Sequence, residues 1–448
     1  MELKKTNFIC MVENKDKNLL LENTLSGKKY LIKEDKKDEF LDYWNGKAIE
    51  KNKKIKIEKK LYEKGFLINK EIKENKIVEM LFNQDVYGKK DLELTIIPTN
   101  ACNFDCVYCY QKEPYFFMNE ITKNSILTFI EKHIKEYSGL KIAWFGGEPL
   151  LAKEIIVEIM SRVREICLKN KKPFYSNITT NGYELDIKTF EKLVKNHVRY
   201  YQITLDGQKE IHNIQRPHKT NNDSFEKIVN NLKNIRDSFK SYNYKIGIRI
   251  NLSLKNVNTF FEFIDFLKEE FGGDKHFHII FEVVRDWGGE KIELVKKDLL
   301  KFENINKYMD YITQNGFKLN DGFQQNGTSI ALCQASKVNG YVINHDGMLY
   351  KCAMILENEK LKKINTIGRI TEKGEIKIDY TKMLTWIGKI SKKDECETCK
   401  FYPKCMGITC PLSVILSGNN DCPETFEKNY EYILKNNTLE KDIEELVW

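Results

Sequence analysis

The chain has 448 residues, 41% hydrophobic and 31% charged, which fits two to three folded domains and excludes intrinsic disorder. Its net charge of +8 is a small difference between 73 Lys and Arg and 65 Asp and Glu, and the two signs alternate along the predicted helices, as on solvated faces rather than a nucleic-acid surface. No run of about 18 apolar residues appears, and Met1–Glu2–Leu3–Lys4–Lys5 opens no secretory apolar core, so neither a nucleic-acid nor a membrane partner is expected and the expected location is cytoplasmic. Twelve cysteines in a compartment that keeps thiols reduced point to metal or cluster ligation rather than disulfides.

Residues 1–90 read as a small α+β domain. Phe8–Met11, Asn18–Leu21 and Lys29–Ile32 are predicted strands, Glu39–Trp44 and Ile57–Lys64 helices, and Gly65–Ile68 a further strand. That order suits a winged-helix-like fold. Over 91–290 short apolar strands alternate with amphipathic helices. The strands are Leu92–Ile97, Lys141–Phe145, Phe174–Thr179, Tyr201–Leu205, Ile246–Leu252 and Phe277–Val284. Between them lie helices Ser125–Glu136, Ile155–Leu168, Ile187–Lys195, Phe225–Phe239 and Phe260–Phe271. Six such units predict an α/β fold in which a parallel sheet curls into a partial (β/α)6 TIM-like barrel. Residues 291–330 form a helical bridge, with a helix over Leu294–Thr313. A cysteine-rich region over 331–448 follows, closing with a helix near Pro423–Leu434 and a polar tail.

The first predicted barrel strand runs into a loop containing Cys102-Asn-Phe-Asp-Cys106-Val-Tyr-Cys109. Three thiolates so close in sequence suit one metal centre, yet they leave the fourth iron of a cubane cluster open to an external ligand. Ligand sites in parallel sheets and barrels lie beyond the C-terminal ends of the strands, where this loop falls. The alternative is a structural zinc site, although such sites favour paired CxxC elements with tetrahedral closure. The CxxxCxxC loop, with Tyr108 beside its last cysteine, resembles the radical S-adenosylmethionine superfamily.

That resemblance extends to successive strand ends. Gly146–Gly147–Glu148–Pro149 is similar to the element that receives the methionine ammonium group. Glycines allow close backbone approach, and a carboxylate favours a cation. Thr180 and Asn181, then Thr204 and Asp206, resemble further cofactor-contacting elements. Asn251 on the fifth strand is expected to point toward the ribose or adenine. Arg216 fits a carboxylate through its planar fork, with a surface arginine as the alternative reading. The resemblance implies a reductive cleavage of S-adenosylmethionine to a 5′-deoxyadenosyl radical that abstracts hydrogen from a substrate.

Cys333, Cys352, Cys396, Cys399, Cys405, Cys410 and Cys422 resemble a SPASM domain, which implies two auxiliary clusters and three 4Fe–4S clusters in all. Carried over, Cys396, Cys399, Cys405 and Cys422 fill one, and Cys333, Cys352 and Cys410 hold the other with only three thiolates. Four residues separate Cys405 from Cys410, where the family pattern has three, and a pair of zinc ribbons is the alternative. Arg285 and Asp286, just past the last predicted strand, are candidate catalytic groups, an anion contact and a proton acceptor. A surface Arg and a helix-capping Asp are the alternative there.

The extension ahead of the barrel resembles the leader-binding domain of ribosomal-peptide maturases, which captures a leader as an added strand. The resemblance therefore implies a peptide substrate with a leader, a reductant such as flavodoxin or ferredoxin, and a thioether or carbon–carbon crosslink as product. An anaerobic sulfatase-maturase-like oxidation of Cys or Ser to formylglycine is the runner-up. A non-catalytic iron–sulfur carrier and a zinc scaffold are the readings outside enzymology.

Overall fold

The structure is a computed structural model and describes residues 2–111, 115–284, 291, 296–299, 306–318, 333–356, 358–387, 394–405, 410–417, 430–432, 434–435 and 443–448. The chain forms two compact units, each built from separated segments. One gathers Met1–Gly88, Asp321–Cys333 and Gly388–Trp448, and the other Lys89–Asn320 and Gln334–Ile387. Among the described residues no helix is long and apolar enough to cross a membrane.

The first unit begins with β1 (Leu3–Lys5), β2 (Ile9–Glu13), β3 (Leu19–Asn23) and β4 (Lys29–Ile32), then α1 (Glu34–Trp44), α2 (Lys51–Glu63), β5 (Leu67–Asn69) and α3 (Glu74–Tyr87). β2, β3 and β4 form an antiparallel sheet, and β1 pairs antiparallel with β5. Side chains alternate faces along a strand, so the run Leu19–Leu20–Leu21 demands a cover on both sides. Leu19 and Leu21 pack with Phe40 of α1 and with Ile57 and Leu61 of α2. Leu20 faces the other way, onto Phe401, Tyr430 and Leu434 from late in the chain. The helices start earlier than periodicity predicts because their first turns are Lys- and Glu-rich and carry no apolar signal. α3 has no counterpart among the predicted elements, although Val78, Phe82 and Val86 stripe it at four-residue spacing and are buried.

In the second unit β6 (Asp91–Ile96), β7 (Gly139–Trp144), β8 (Phe174–Thr180), β9 (Val198–Thr204), β10 (Lys245–Leu252) and β11 (Phe277–Val283) pair in parallel and in sequence order. The crossovers carry α4 (Glu120–His133), α5 (Lys153–Lys169), α6 (Ile187–Lys195), α7 (Lys209–Gln215), α8 (Ser224–Ser238) and α9 (Phe260–Phe271). Three of these helices are capped at the start by side chains. Asn119 accepts from the Thr122 amide at 2.8 Å, Asp186 from Thr189 at 2.7 Å and Asp223 from Glu226 at 3.1 Å, each satisfying an otherwise unpaired first-turn donor. Monotonic order with helical crossovers yields the expected partial barrel.

The barrel stays open in the described residues. β11 and β6 do not pair; instead β12 (Gly340–Ile343) adds in parallel to β6, and β13 (Met348–Tyr350), β14 (Thr366–Ile370) and β15 (Ile376–Ile378) continue antiparallel, for ten strands in all. Thr95 on β6 donates to Gln334 at 2.8 Å, and Lys337 pairs with Glu93 at 3.0 Å beside that seam. Of the predicted helix Leu294–Thr313, the described part is a short 3-10 turn, Lys296–Asp298, and a helix over Asn306–Gln314. The final strand, β16 (Ile443–Glu445), returns to the first unit and pairs in parallel with β4, so the expected polar tail is corrected to a strand whose neighbour Leu446 is buried.

Ile142, in the middle of β7, is 1% exposed. Ile142→Ala is expected to destabilise the second unit by about 2–5 kcal/mol, read from the denaturant midpoint.

Candidate functional site

The cysteine loop leaves β6 and is clamped by backbone bonds to the end of α7 and the segment after it. The amides of Asp105 and Val107 donate to the carbonyls of Pro217 (2.9 Å) and Gln215 (3.0 Å), and Lys219 donates to Asn103 (2.9 Å). Phe104 is buried against His218 in an edge-to-face contact. Cys102 and Cys109 are partly exposed and Cys106 is buried. Burial pushes the Cys106 thiol up to about 12, with the Arg216 guanidinium opposing it. A metal or cluster bound there must displace that proton. Among the described residues no three Cys, His, Asp or Glu side chains close on a single metal ion. A cubane cluster does not require them to, because its irons each take one thiolate.

A second layer stands behind the loop. Asp206, at 0% exposure just past β9, accepts from the Asn251 amide at 2.9 Å and from the Tyr108 hydroxyl. Tyr108 in turn accepts from Arg216 Nη1 at 2.8 Å and Asn251 Nδ2 at 3.2 Å. Arg216 Nη1 lies 4.0 Å from Asp206 Oδ2, and its guanidinium sits over the Phe104 ring at 5.7 Å. Burial opposes the Arg216 charge, but Cys106, Tyr108 and Asp206 around it more than compensate, so it is held firmly protonated. Burial raises the Asp206 carboxyl, with Arg216 pulling the other way. The structure thus brings Tyr108, Asp206, Arg216 and Asn251 into one network and makes Arg216 a buried residue, not a surface one. Sequence reasoning missed Arg249, which donates to Asn251 Oδ1 at 2.8 Å, and Asn256, which donates to the Asp206 carbonyl at 2.6 Å. No motif announces either.

Gly146 and Gly147 are demanded by backbone proximity. Gly146 has φ +137, and a Cβ there would lie 2.3 Å from the Thr99 carbonyl. At Gly147 it would lie 2.4 Å from those of Asn100 and Ala101. Glu148 is fully buried beside them. Its carboxylate accepts from the amides of Leu150 (2.8 Å) and Asn181 (2.6 Å) and from the Thr180 hydroxyl (2.6 Å). Pro149 opens the 3-10 turn that Glu148 caps. Asn181 also reaches Asn103 of the cysteine loop at 2.7 Å. The elements expected to meet the ammonium group therefore also tie the ends of β7 and β8 to that loop. Thr204 is buried at the end of β9, opposite Arg249.

Three buried donors near the loop find no acceptor among the described residues: Asn103 Nδ2, Gln215 Nε2 and Arg216 Nε. Leaving such groups dry is costly, and a carboxylate-bearing ligand would satisfy them, so the donor set fits an amino-acid cofactor beside a thiolate-bound cluster. A cavity of about 660 Å³ opens alongside, lined by Val107, Tyr108, Ile211, Gln215, Ser253 and Val284 among others, within the size range of small-molecule sites. Arg285 and Asp286 follow Val284 directly but lie outside the described residues, as does Cys422.

The remaining cysteines fall in both units. Cys352 follows β13, and Asn365, fully buried, grips it by accepting from its amide (2.9 Å) and donating to its carbonyl (2.8 Å). Charges on Cys109 and Cys352 both bear on Tyr110, a further residue that sequence reasoning missed, after burial itself in raising its phenol. In the first unit Cys396 lies in the 3-10 turn Asp394–Glu397 and Cys405 ends the helical turn Tyr402–Cys405, with Cys399 between the two, and Cys410 precedes the helix Pro411–Ser417. Burial first, then Glu79, Cys396 and Cys405, push the Tyr402 phenol up to about 12. Cys333 is exposed.

The Radical SAM superfamily matches residues 96–270, the span holding the loop, Glu148 and the Asp206 network, so this part of the chain is a radical S-adenosylmethionine domain. The chain is 26% identical over 342 residues to a cysteine-type anaerobic sulfatase-maturating enzyme of Clostridium perfringens, covering 70% of this chain and 88% of that protein. It is 26% identical over 225 residues to Fe-coproporphyrin III synthase of Methanosarcina barkeri, about half of each chain (50% and 51%). The structure of native anSMEcpe with bound AdoMet and Kp18Cys peptide shares the fold with a TM-score of 0.56 at 19% identity, over 77% of this chain and 96% of that one.

Burial raises the Glu148 carboxyl to about 7 against the lowering effect of its three donors. A raised carboxyl contributes stability that is present below about pH 4.5 and is lost as pH climbs through 7. Glu148→Gln is expected to remove that slope, up to about 3 kcal/mol between these limits, while costing a hydrogen bond at every pH. Unfolding curves across pH 4–8 check it. Arg216→Ala should cost about 3–5 kcal/mol by leaving Asp206 buried beside no cation, and Arg216→Lys less, measured by guanidinium unfolding.

Proposed function

We propose that the protein is a peptide maturase, binding a ribosomally made peptide and oxidising it by hydrogen abstraction to form a thioether or carbon–carbon crosslink. In this reading Cys102, Cys106 and Cys109 hold the 4Fe–4S cluster that, with S-adenosylmethionine, supplies the radical chemistry. Tyr108, Gly146, Gly147, Glu148, Pro149, Thr180, Asn181, Thr204, Asp206, Arg216 and Asn251 position the cofactor, Asp206 and Arg216 by fixing the loop from behind. Cys396, Cys399, Cys405 and Cys422 are assigned to one auxiliary cluster, and Cys333, Cys352 and Cys410 to a second whose short ligand count leaves a place for a substrate thiolate. Arg285 and Asp286 are assigned to the substrate side, as anion contact and proton acceptor, and a flavodoxin or ferredoxin is the assigned reductant.

The observation that carries this reading is the sheet of β2, β3 and β4 with α1 and α2 packed on one face, placed ahead of a barrel that is otherwise sufficient for radical chemistry. A small sheet with an edge is the device by which extended peptides are captured. The likeness to the sulfatase-maturating enzyme favours a second reading, oxidation of Cys or Ser to formylglycine. The Fe-coproporphyrin III synthase likeness shows that a shared barrel does not choose the substrate.

Anaerobically reconstituted protein is expected to cleave S-adenosylmethionine to 5′-deoxyadenosine and methionine, and Cys106→Ala to lose both products while retaining auxiliary iron. Incubation with Cys-containing peptides then separates the readings by mass. A crosslink removes two hydrogens and keeps sulfur, whereas formylglycine from Cys loses the sulfur. No S-adenosylmethionine cleavage by iron-loaded protein overturns the enzyme assignment.

A further inference from the structure

We infer that Arg249, on the inner wall of the barrel, is a specificity residue that receives a carboxylate of the substrate peptide, from an acidic side chain or a free C-terminus. The inference rests on the peptide-maturase reading and sharpens it. Thr204 stands opposite Arg249, Arg249 opposite Ile280, and Asn251 opposite Glu282, so these side chains share one face of β9, β10 and β11. The other face belongs to the helices. There the Tyr201 ring lies 4.9 Å from Phe190 of α6, and that of Phe281 5.7 Å from Phe260 of α9. Ile203, Ile248 and Ile250 on that outer face are fully buried, whereas Gln202, Arg249 and Glu282 on the inner face are only half-buried. A closed barrel fills its interior with packed side chains; this open one keeps a polar wall that a ligand can reach.

Arg249 keeps most of its bonding capacity in reserve. Its Nε donates to Asn251 Oδ1 at 2.8 Å, and among the described residues the side chain makes no other hydrogen bond and no ion pair. Glu282 shares the wall without pairing with it. A guanidinium held by Nε alone presents its two terminal nitrogens side by side, the fork that a carboxylate meets with two parallel bonds. Half-withdrawn from water, that fork gains more from an anion than it does at a surface.

The residue stands between the Asp206 network and Cys352. On one side Asn251 links it to Tyr108, and Tyr108 to Asp206. On the other lies Tyr110, whose phenol is raised by burial first and then by Cys109 and Cys352, with the Arg249 charge drawing it back. The Tyr110 hydroxyl donates to Met354 Sδ at 3.2 Å, two residues past Cys352. A substrate that gives up hydrogen to a cofactor-derived radical must lie beside the cofactor, and Arg249 borders that space. The cofactor's own carboxylate is provided for by the unmet donors Asn103 Nδ2, Gln215 Nε2 and Arg216 Nε. The anion left for Arg249 therefore comes from the substrate.

The test uses the iron-loaded full chain with S-adenosylmethionine, kept anaerobic, and three pools of N-acetylated pentapeptides with a central Cys and mixed apolar residues elsewhere. One pool carries an Asp and an amidated C-terminus, one an Asn and an amidated C-terminus, and one an Asn and a free C-terminal carboxylate. Equilibrium dialysis gives the dissociation constant of each. At least one acidic pool is expected to bind about tenfold more tightly than the neutral pool, and which one does so identifies the source of the carboxylate. Arg249→Gln, whose amide nitrogen replaces Nε toward Asn251, is expected to erase that ratio. Arg249→Glu is expected to invert it in favour of the first pool remade with Lys for Asp. A ratio taken within one protein is not moved by a general loss of binding or of folded chain. Equal binding of the three pools by the unaltered chain, binding of none, or a ratio that survives in Arg249→Gln overturns the inference. Should Arg249→Gln not fold, Arg249→Lys, which keeps the charge without the fork, is expected to narrow the ratio, and no change there overturns it. Because binding is read, a failure here leaves the maturase reading to its own measurement of peptide mass, and absent modification there leaves the charge preference standing.

Discussion

The Asp206 carboxylate is buried at the end of a central barrel strand, and a charge in that position must be met by donors from whatever elements surround it. They come from three directions: the Asn251 amide on β10, the Tyr108 hydroxyl on the cysteine loop, and Arg216 just past α7. Each partner is itself bonded to another, since Arg216 and Asn251 both donate to Tyr108. Because the desolvation cost of an incomplete set is high, the network closes in one arrangement. That arrangement sets where Tyr108, and hence Cys106 and Cys109 on either side of it, can lie.

Glu148 repeats the device on the other side of the loop. It collects Leu150, Thr180 and Asn181, and through Asn181 it reaches Asn103. Two buried carboxylates thus anchor the cysteine loop from opposite flanks, with the glycine pair letting the 146–148 backbone lie against that of 99–101. Such groups contribute little net stability compared with apolar packing. They fix the geometry of the cysteine loop instead. The unmet donors Asn103 Nδ2, Gln215 Nε2 and Arg216 Nε mark where the protein's own partners run out.

Much of this was legible from pattern. The six strands, the helices between them and the strand-end motifs all depend on local periodicity and on short loops, which sequence records directly. α3 carries a Val78, Phe82 and Val86 stripe that the predicted elements overlook because charged residues around it dilute the apolar signal. β12 was hidden for another reason. Gly340–Ile343 is short, and its pairing with β6 spans more than two hundred residues, so nothing near it in sequence says which edge it will join. Arg249 and Asn256 entered the site only because the barrel's curvature brings β10 and its following turn behind Asp206.

Sequence alone determined the position of the cysteine loop, the barrel class and the set of cysteines, because these rest on side-chain identity at fixed spacing and on alternation within a few turns of chain. Only the tertiary structure decided that Arg216 is buried, that Glu148 is spent on tying strand ends together, and that a tail rich in glutamate becomes a strand on β4. Those outcomes depend on which groups lose their water when distant segments meet, and the free energy of a buried charge or an edge strand is set by neighbours that the local sequence does not contain.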